Sequence, residues 1–166
     1  VVEVRRAKMI VRRAEEKDIP DIAELLLQVA GVHAAGRPDL FKSGARKYTD
    51  AELAEILRDP ERPVFVADDE GRVVGYAFCV NATRADDNIL TPVRTLYVDD
   101  ICVDERERGK GIGKAIYAYV RNYAKEEGFY NLTLNVWSCN PAAMKFYIAM
   151  GLVPYKVGME TILQEK

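Results

Sequence analysis

Residues 108–114 read Arg-Gly-Lys-Gly-Ile-Gly-Lys and directly follow an apolar, strand-like run that ends at Val103. Gly109, Gly111 and Gly113 alternate, which leaves a backbone nearly bare of side chains whose N–H groups can approach a ligand closely. Ile112, Ile116, Val120 and Tyr123 then recur at helical spacing. A glycine-rich turn that opens a helix is an anion site, because unpaired N–H groups and the helix dipole point the same way. Arg108, Lys110 and Lys114 add positive charge there. Such a segment is suited to a phosphorylated ligand; the plainer alternative is a tight strand-to-helix turn with a solvated basic rim.

Two nucleotide-binding motifs fail on spacing. A P-loop requires Gly-x-x-x-x-Gly-Lys and then Ser or Thr, but Gly113-Lys114 is followed by Ala115, and Arg108 stands where the first glycine belongs. The dinucleotide fingerprint requires Gly-x-Gly-x-x-Gly and an acidic residue about 20 positions on. Here the spacing is Gly-x-Gly-x-Gly, and residues 130–136 contain no acidic side chain.

The spacing that fits is Val-x-x-x-x-Arg-x-x-Gly-x-Gly, carried by Val103, Arg108, Gly111 and Gly113. It resembles the acyl-CoA signature of the GNAT acyltransferase superfamily. A second block, residues 140–152, reads Asn-Pro-Ala-Ala-Met-Lys-Phe-Tyr-Ile-Ala-Met-Gly-Leu. It resembles the other hallmark of that superfamily: an Asn, then an Ala and an aromatic-Tyr pair before a Gly-apolar end. The two blocks stand in the family's order and separation, and the resemblance covers roughly residues 9–163.

Composition agrees with one enzyme-sized domain. The 166 residues suffice to bury a core. Apolar residues make up 49% and charged ones 30%, as in ordinary soluble proteins. A formal net charge of −2 gives no reason to expect nucleic acid. Cys79, Cys102 and Cys139 lack metal-ligand spacing and a disulfide pattern, and the first two lie in strand-like runs as small apolar residues. No apolar run approaches the ~20 residues of a membrane span and no signal-peptide pattern opens the chain. The expectation is a cytoplasmic protein with no membrane partner. Met9 directly precedes the first strand-like segment, so residues 1–8 read as leader or appended residues and residues 9–166 as a single domain.

The elements alternate. After a strand near residues 9–13, Asp18 is placed to cap a helix with the stripe Ile19, Ile22, Leu26 and Val29. Residues 31–47 form a long polar connection, a candidate functional loop that holds the lone His33 with Arg37 and Asp39. Thr49 and Glu52 make a capping box for a second helix, which stops at Asp59-Pro60. Residues 64–67 and 73–80 flank an acidic turn and read as a hairpin. A strand over 93–103 leads to the glycine turn and a helix ended by Gly128. Residues 132–136 are the next strand, Pro141 starts the last helix, and 155–163 offer a final strand. The implied class is α/β: a mixed, mainly antiparallel central sheet with helices on both faces. The GNAT resemblance implies the same, with the fourth and fifth strands, here 93–103 and 132–136, splayed to admit the pantetheine arm. A strand that stops pairing presents N–H and C=O groups that can bond the pantetheine amides as if they were a strand.

The resemblance implies acetyl-CoA as cosubstrate. Ile101, Cys102 and Val103 on the strand would bind it, with Arg108, Gly109, Lys110, Gly111, Ile112, Gly113 and Lys114 in the turn. Asn140 matches a position that bonds the CoA arm. Acyl transfer to an amine needs a base for the ammonium, a donor for the oxyanion and an acid for the thiolate. By alternation, Tyr97, Asp99, Ile101 and Val103 share one face, and Val98, Asp100 and Cys102 the other. An acidic pair inside a strand is unusual. In several GNAT enzymes, serotonin N-acetyltransferases among them, the base or its water-holding partners occupy the sites matching Tyr97 and Asp99. Asp99 is therefore the expected base, through water, with Asp100 the fallback and a solvated or lysine-paired Asp99 the plainer reading. Ribosomal-protein alanine acetyltransferases carry a catalytic Glu where this chain has Asn135, which cannot act as a base.

Ala143, Phe146, Tyr147 and Met150 form an apolar stripe, so periodicity alone makes Tyr147 core. The resemblance instead makes it the acid for the departing thiolate, and a phenol of ordinary pKa near 10 is protonated at neutral pH. The resulting expectation is direct transfer of acetyl to a primary amine of a small molecule or of a protein, with no metal, and with a homodimer left open. The competing class is a non-catalytic acyl-CoA sensor or regulatory domain, which would dispense with Asp99 and Tyr147.

Overall fold

The computed structural model describes residues 9–164, so the expectation of a leader over residues 1–8 lies outside the described residues. The chain divides into two compact units, one ending at Asn135 and one beginning at Val136.

The first unit is built on a five-stranded sheet in chain order: β1 Ile10–Arg13, β2 Val64–Asp69, β3 Arg72–Asn81, β4 Thr95–Val103 and β5 Asn131–Leu134. The first three joints are antiparallel and β4 pairs with β5 in parallel. The parallel joint follows from the crossover through α3, Ile112–Glu126. On one face α1, Ile19–Gly36, and α2, Asp50–Arg58, set Ile22, Leu25, Leu26, Leu53 and Ile56 against Val64, Val66, Tyr76 and Phe78. On the other face Ile112, Ile116, Val120 and Ala124 of α3 pack on Phe65, Ala77, Leu96 and Val98. Each Val, Leu, Ile or Phe side chain so buried contributes ~1.5–3 kcal/mol.

Local chemistry explains most boundaries. Thr49 and Glu52 cap α2 reciprocally, as their spacing predicts. The β2–β3 hairpin closes where Asp68 Oδ1 accepts from the Gly71 N–H at 2.7 Å. Gly128 stands just past α3 with φ of 74° and ends it. Gly75 answers a different need. A Cβ there would lie 2.8 Å from Ile116 Cδ1 and 2.9 Å from the Cys102 carbonyl, so α3 can approach β3 only across a glycine.

Several expectations are corrected. Asp18 does not cap α1 with its side chain. It is buried, and accepts Arg12 Nη1 and Nη2, each at 2.8 Å, while Arg12 also donates to Asp68. Burial alone would push the Asp18 carboxyl up, but the Arg12 hydrogen bonds outweigh it and the pKa is lowered. Helix α1 continues through Gly36, so His33 belongs to its last turn and stacks on Phe41 at 5.0 Å between ring centroids. The irregular connection begins only at Arg37.

In the second unit Asn140 caps α4, Pro141–Ala149, by accepting the Ala143 N–H at 3.2 Å, and Gly151 follows with φ of 93°. Residues 155–163 are not a strand. Their composition suits one, but a strand exists only through a hydrogen-bonded ladder, and among the described residues the sheet ends at β5.

Candidate active site

β4 is where the sheet changes character. Beside β5 it pairs only from Thr95 to Val98, while the strand itself runs on to Val103. On its other side Asp104 N–H donates to Val74 O at 2.9 Å, which sets the alternation. Cys102 points its backbone groups to β3, whereas Ile101 and Val103 turn theirs to the side that β5 has left. Cys102, expected among the cosubstrate-binding residues, thus keeps its backbone N–H and C=O on the β3 side. Its thiol is buried near the Leu25 carbonyl at 3.7 Å, and burial pushes its pKa up to about 12. Cys79 is likewise buried and pushed up to about 12, so neither is a thiolate nucleophile.

A second irregularity sits on the same strand. Phe78 pairs with Asp100 and Cys79 with Val98, so Asp99 is the extra residue of a β-bulge. Past the bulge the faces invert. Val98 lies in the α3 core together with Ile101 and Val103, not opposite them. Both carboxylates reach the α1–α2 side: Asp99 meets Lys47 and Tyr48, and Asp100 meets Tyr76. The strict alternation expected from sequence is wrong here because the bulge adds one residue to one strand.

The two carboxylates differ in setting. Asp99 Oδ2 accepts Lys47 Nζ at 2.5 Å and the Tyr48 hydroxyl at 3.2 Å, and its side chain is 21% exposed. Asp100 Oδ2 accepts the hydroxyl of fully buried Tyr76 at 2.6 Å. Burial raises the Asp100 pKa, against the opposing pull of Tyr76 and Lys47. Asp99 is lysine-paired, as its plainer reading has it, but nothing in the sequence singles out Lys47, Tyr48 or Tyr76 as the partners, since Lys47 meets Asp99 across 52 positions. Further along, Asn135 Nδ2 donates to the Tyr97 hydroxyl at 3.2 Å, so the residue in place of a catalytic Glu holds a phenol.

β4 leads into the glycine turn. Asp104 accepts from the Arg106 N–H and starts a short 3-10 turn over Glu105–Glu107. Gly109 and Gly111 follow with φ of 78° and 82°, and Gly111 opens α3 without a side-chain cap. A Cβ at either glycine would meet nothing within 4 Å, so their purpose is the left-handed backbone and the clearance above it. The first N–H groups of α3 have no partner within the helix. Ile112 is buried beneath them, leaving its backbone as its only contribution. The positive charge is smaller than the sequence suggests. Lys110 pairs with Glu107 at 2.6 Å, and Arg108 Nε donates to the Val103 carbonyl at 3.4 Å. Lys114 is exposed on the first turn of α3. The backbone and these cations fit a pyrophosphate.

In the second unit Tyr147 is half-buried and packs edge-on against Phe146, with ring centroids 5.2 Å apart. The Asn140 side chain is engaged as the cap of α4. Among the described residues no helix is long and apolar enough to cross a membrane.

Residues 30–152 match the family model described as the acetyltransferase (GNAT) family. A thialysine N-epsilon-acetyltransferase of Bos taurus is 30% identical over 158 residues, or 87% of this chain and 84% of that protein. An uncharacterised N-acetyltransferase of Mycobacterium tuberculosis is 31% identical over 123 residues, or 74% of this chain and 69% of that protein. Among solved structures, a mutant of the BH1408 protein of Bacillus halodurans superposes with a TM-score of 0.89 at 28% identity, covering 94% of this chain and 100% of the other.

Proposed function

Since the chain belongs to the acetyltransferase (GNAT) family and is an N-acetyltransferase, we propose that it transfers an acetyl group from acetyl-CoA to a primary amine by direct attack in a ternary complex. The observation that carries this reading is the course of β4. Its last five residues run beyond the pairing with β5, carry Asp99 at one end, and feed the uncapped glycine turn at the other.

When bound, acetyl-CoA supplies an activated thioester carbonyl. The turn at Gly109 and Gly111, with the α3 N-terminus, Arg108 and Lys114, holds the pyrophosphate. Ile101 and Val103 offer outward N–H and C=O groups to the pantetheine amides. Asp99 lies two residues before Ile101 on the same strand, which brings its carboxylate toward an amine placed beside the thioester. The amine proton passes toward Asp99, directly or through water, and an outward N–H of β4 not taken by the pantetheine polarises the carbonyl. Tyr147 donates its phenolic proton to the departing sulfur. Holding both reactants in one site supplies much of the acceleration. The acceptor is a small-molecule amine or a protein amino group, and the setting is the cytoplasm.

The test is a panel of amines incubated with the protein and acetyl-CoA while released thiol is followed. Thiol release that depends on one amine class supports the reading. Tight acetyl-CoA binding with no turnover on any amine would mark a sensor instead.

A further inference from the structure

An alkyl ammonium already sits on the proposed base. Lys47 arrives from the connection between α1 and α2 and places Nζ 2.5 Å from Asp99 Oδ2, while Tyr48 donates to the same oxygen. Burial opposes the charge on Lys47, but the hydrogen bond and the field of Asp99 outweigh it, with Asp100 adding to them, so the ammonium is held protonated. Its Nζ also lies 5.5 Å from the centre of the Tyr48 ring. The two partners are not equally fixed. The Lys47 side chain is 47% exposed and ends a flexible four-carbon stem, whereas Asp99 is 21% exposed on a strand. The lysine can swing into water; the carboxylate stays.

A lysine side chain is chemically an unbranched primary alkylamine, the same class of group that the proposed reaction deprotonates. We propose that Lys47 determines acceptor specificity by standing in for the acceptor: the acceptor is a cationic primary alkylamine, and it reaches Asp99 by displacing the Lys47 ammonium. This rests on the reading of Asp99 as the base. Two ammonium groups on one carboxylate oxygen repel each other, so the acceptor and Lys47 take the place in turn. Only an incoming cation restores the charge-assisted hydrogen bond that Asp99 loses. A neutral arylamine restores none of it, and an anionic acceptor is repelled by Asp99.

The experiment compares the wild type with Lys47→Met, which keeps the stem and removes the charge. Calorimetry without coenzyme uses pentylamine, a cation at neutral pH, and aniline, which is neutral. Pentylamine should bind Lys47→Met about fivefold more tightly, the size of an ion pair half open to solvent. Aniline affinity should change by less than about twofold, and Lys47→Arg should return the weak pentylamine binding of the wild type. In turnover the gain should lie in KM rather than kcat. Equal or weaker pentylamine binding by Lys47→Met would overturn the proposal, and weaker binding would make Lys47 a direct acceptor contact. Tighter pentylamine binding by Lys47→Met, in a protein that acetylates no amine, would sustain the displacement and overturn Asp99 as a catalytic base.

Discussion

Val98 and Ile101 pack into the same core, beneath α3, although strict alternation would put residues three apart on opposite faces of a strand. The bulge at Asp99 absorbs the difference and turns Asp99 and Asp100 together toward the α1–α2 side. One carboxylate accepts a lysine ammonium, and the other accepts the hydroxyl of a fully buried tyrosine. A strand that carried them alternately would have sunk one of the two among the apolar side chains under α3.

That division predicts distinct phenotypes. Asp99→Asn should lower acetyl transfer by about 10²-fold or more, the usual contribution of a positioned base, with acetyl-CoA affinity unchanged. Asp100→Asn keeps an oxygen to accept the Tyr76 hydroxyl, so the fold should persist and turnover should fall much less. Steady-state rates and calorimetry on both variants check this. The reverse order of losses would make Asp100 the base.

Gly111→Val should weaken acetyl-CoA binding by tenfold or more, roughly 1.4 kcal/mol, because the N–H groups at the α3 N-terminus lose their left-handed approach. Gly71→Val is the control. Gly71 has φ of 92° in the β2–β3 hairpin and a Cβ there also meets nothing within 4 Å, so backbone strain should be similar. Both variants should lose about 1–2 kcal/mol of stability. Only Gly111→Val should lose affinity; equal affinities in the two variants would remove the turn from the binding site.

Tyr147→Phe separates packing from catalysis. The ring and its edge-on contact with Phe146 remain, so the thermal midpoint should move little. As an acid for the thiolate, the lost hydroxyl should lower turnover by about 10²–10⁴-fold. Both quantities are to be read on one sample with the best acceptor. Unchanged turnover would mean that water protonates the sulfur.

Acid should unfold the protein through two carboxylates. Hydrogen bonds from Arg106 lower the Asp104 pKa to about 2, against the opposing effect of burial. At Asp18 burial raises the pKa, but the Arg12 hydrogen bonds win and the net shift is downward. Both folded-state values lie below those of the unfolded chain. Their stabilisation is therefore complete above the ordinary carboxylate range near pH 4 and is lost as pH falls through the folded values toward about pH 2. Thermal midpoints recorded down this range should drop steeply for the wild type. Asp104→Asn should start about 1 kcal/mol lower at neutral pH and converge with the wild type in acid.

The sequence by itself determined the order of elements as far as α4, the capping box at Thr49, the hairpin at Asp68 to Arg72, the glycine turn before α3 and the family to which the chain belongs. These are local matters: caps, turns and periodicity act between residues a few positions apart, and the two motif blocks are contiguous. Tertiary structure alone decided which face each carboxylate takes, which backbone groups of β4 turn away from β3, and that Lys47 sits on Asp99. The bulge depends on the ladder between β3 and β4, so no pattern within β4 announces it. Gly75 is an ordinary strand glycine until α3 packs across it. The Lys47–Asp99 pair joins positions 52 apart, and the meeting is fixed by how α1 and α2 bury their apolar stripes on the sheet, because hydrophobic burial sets which distant segments come together and leaves polar side chains to find partners there.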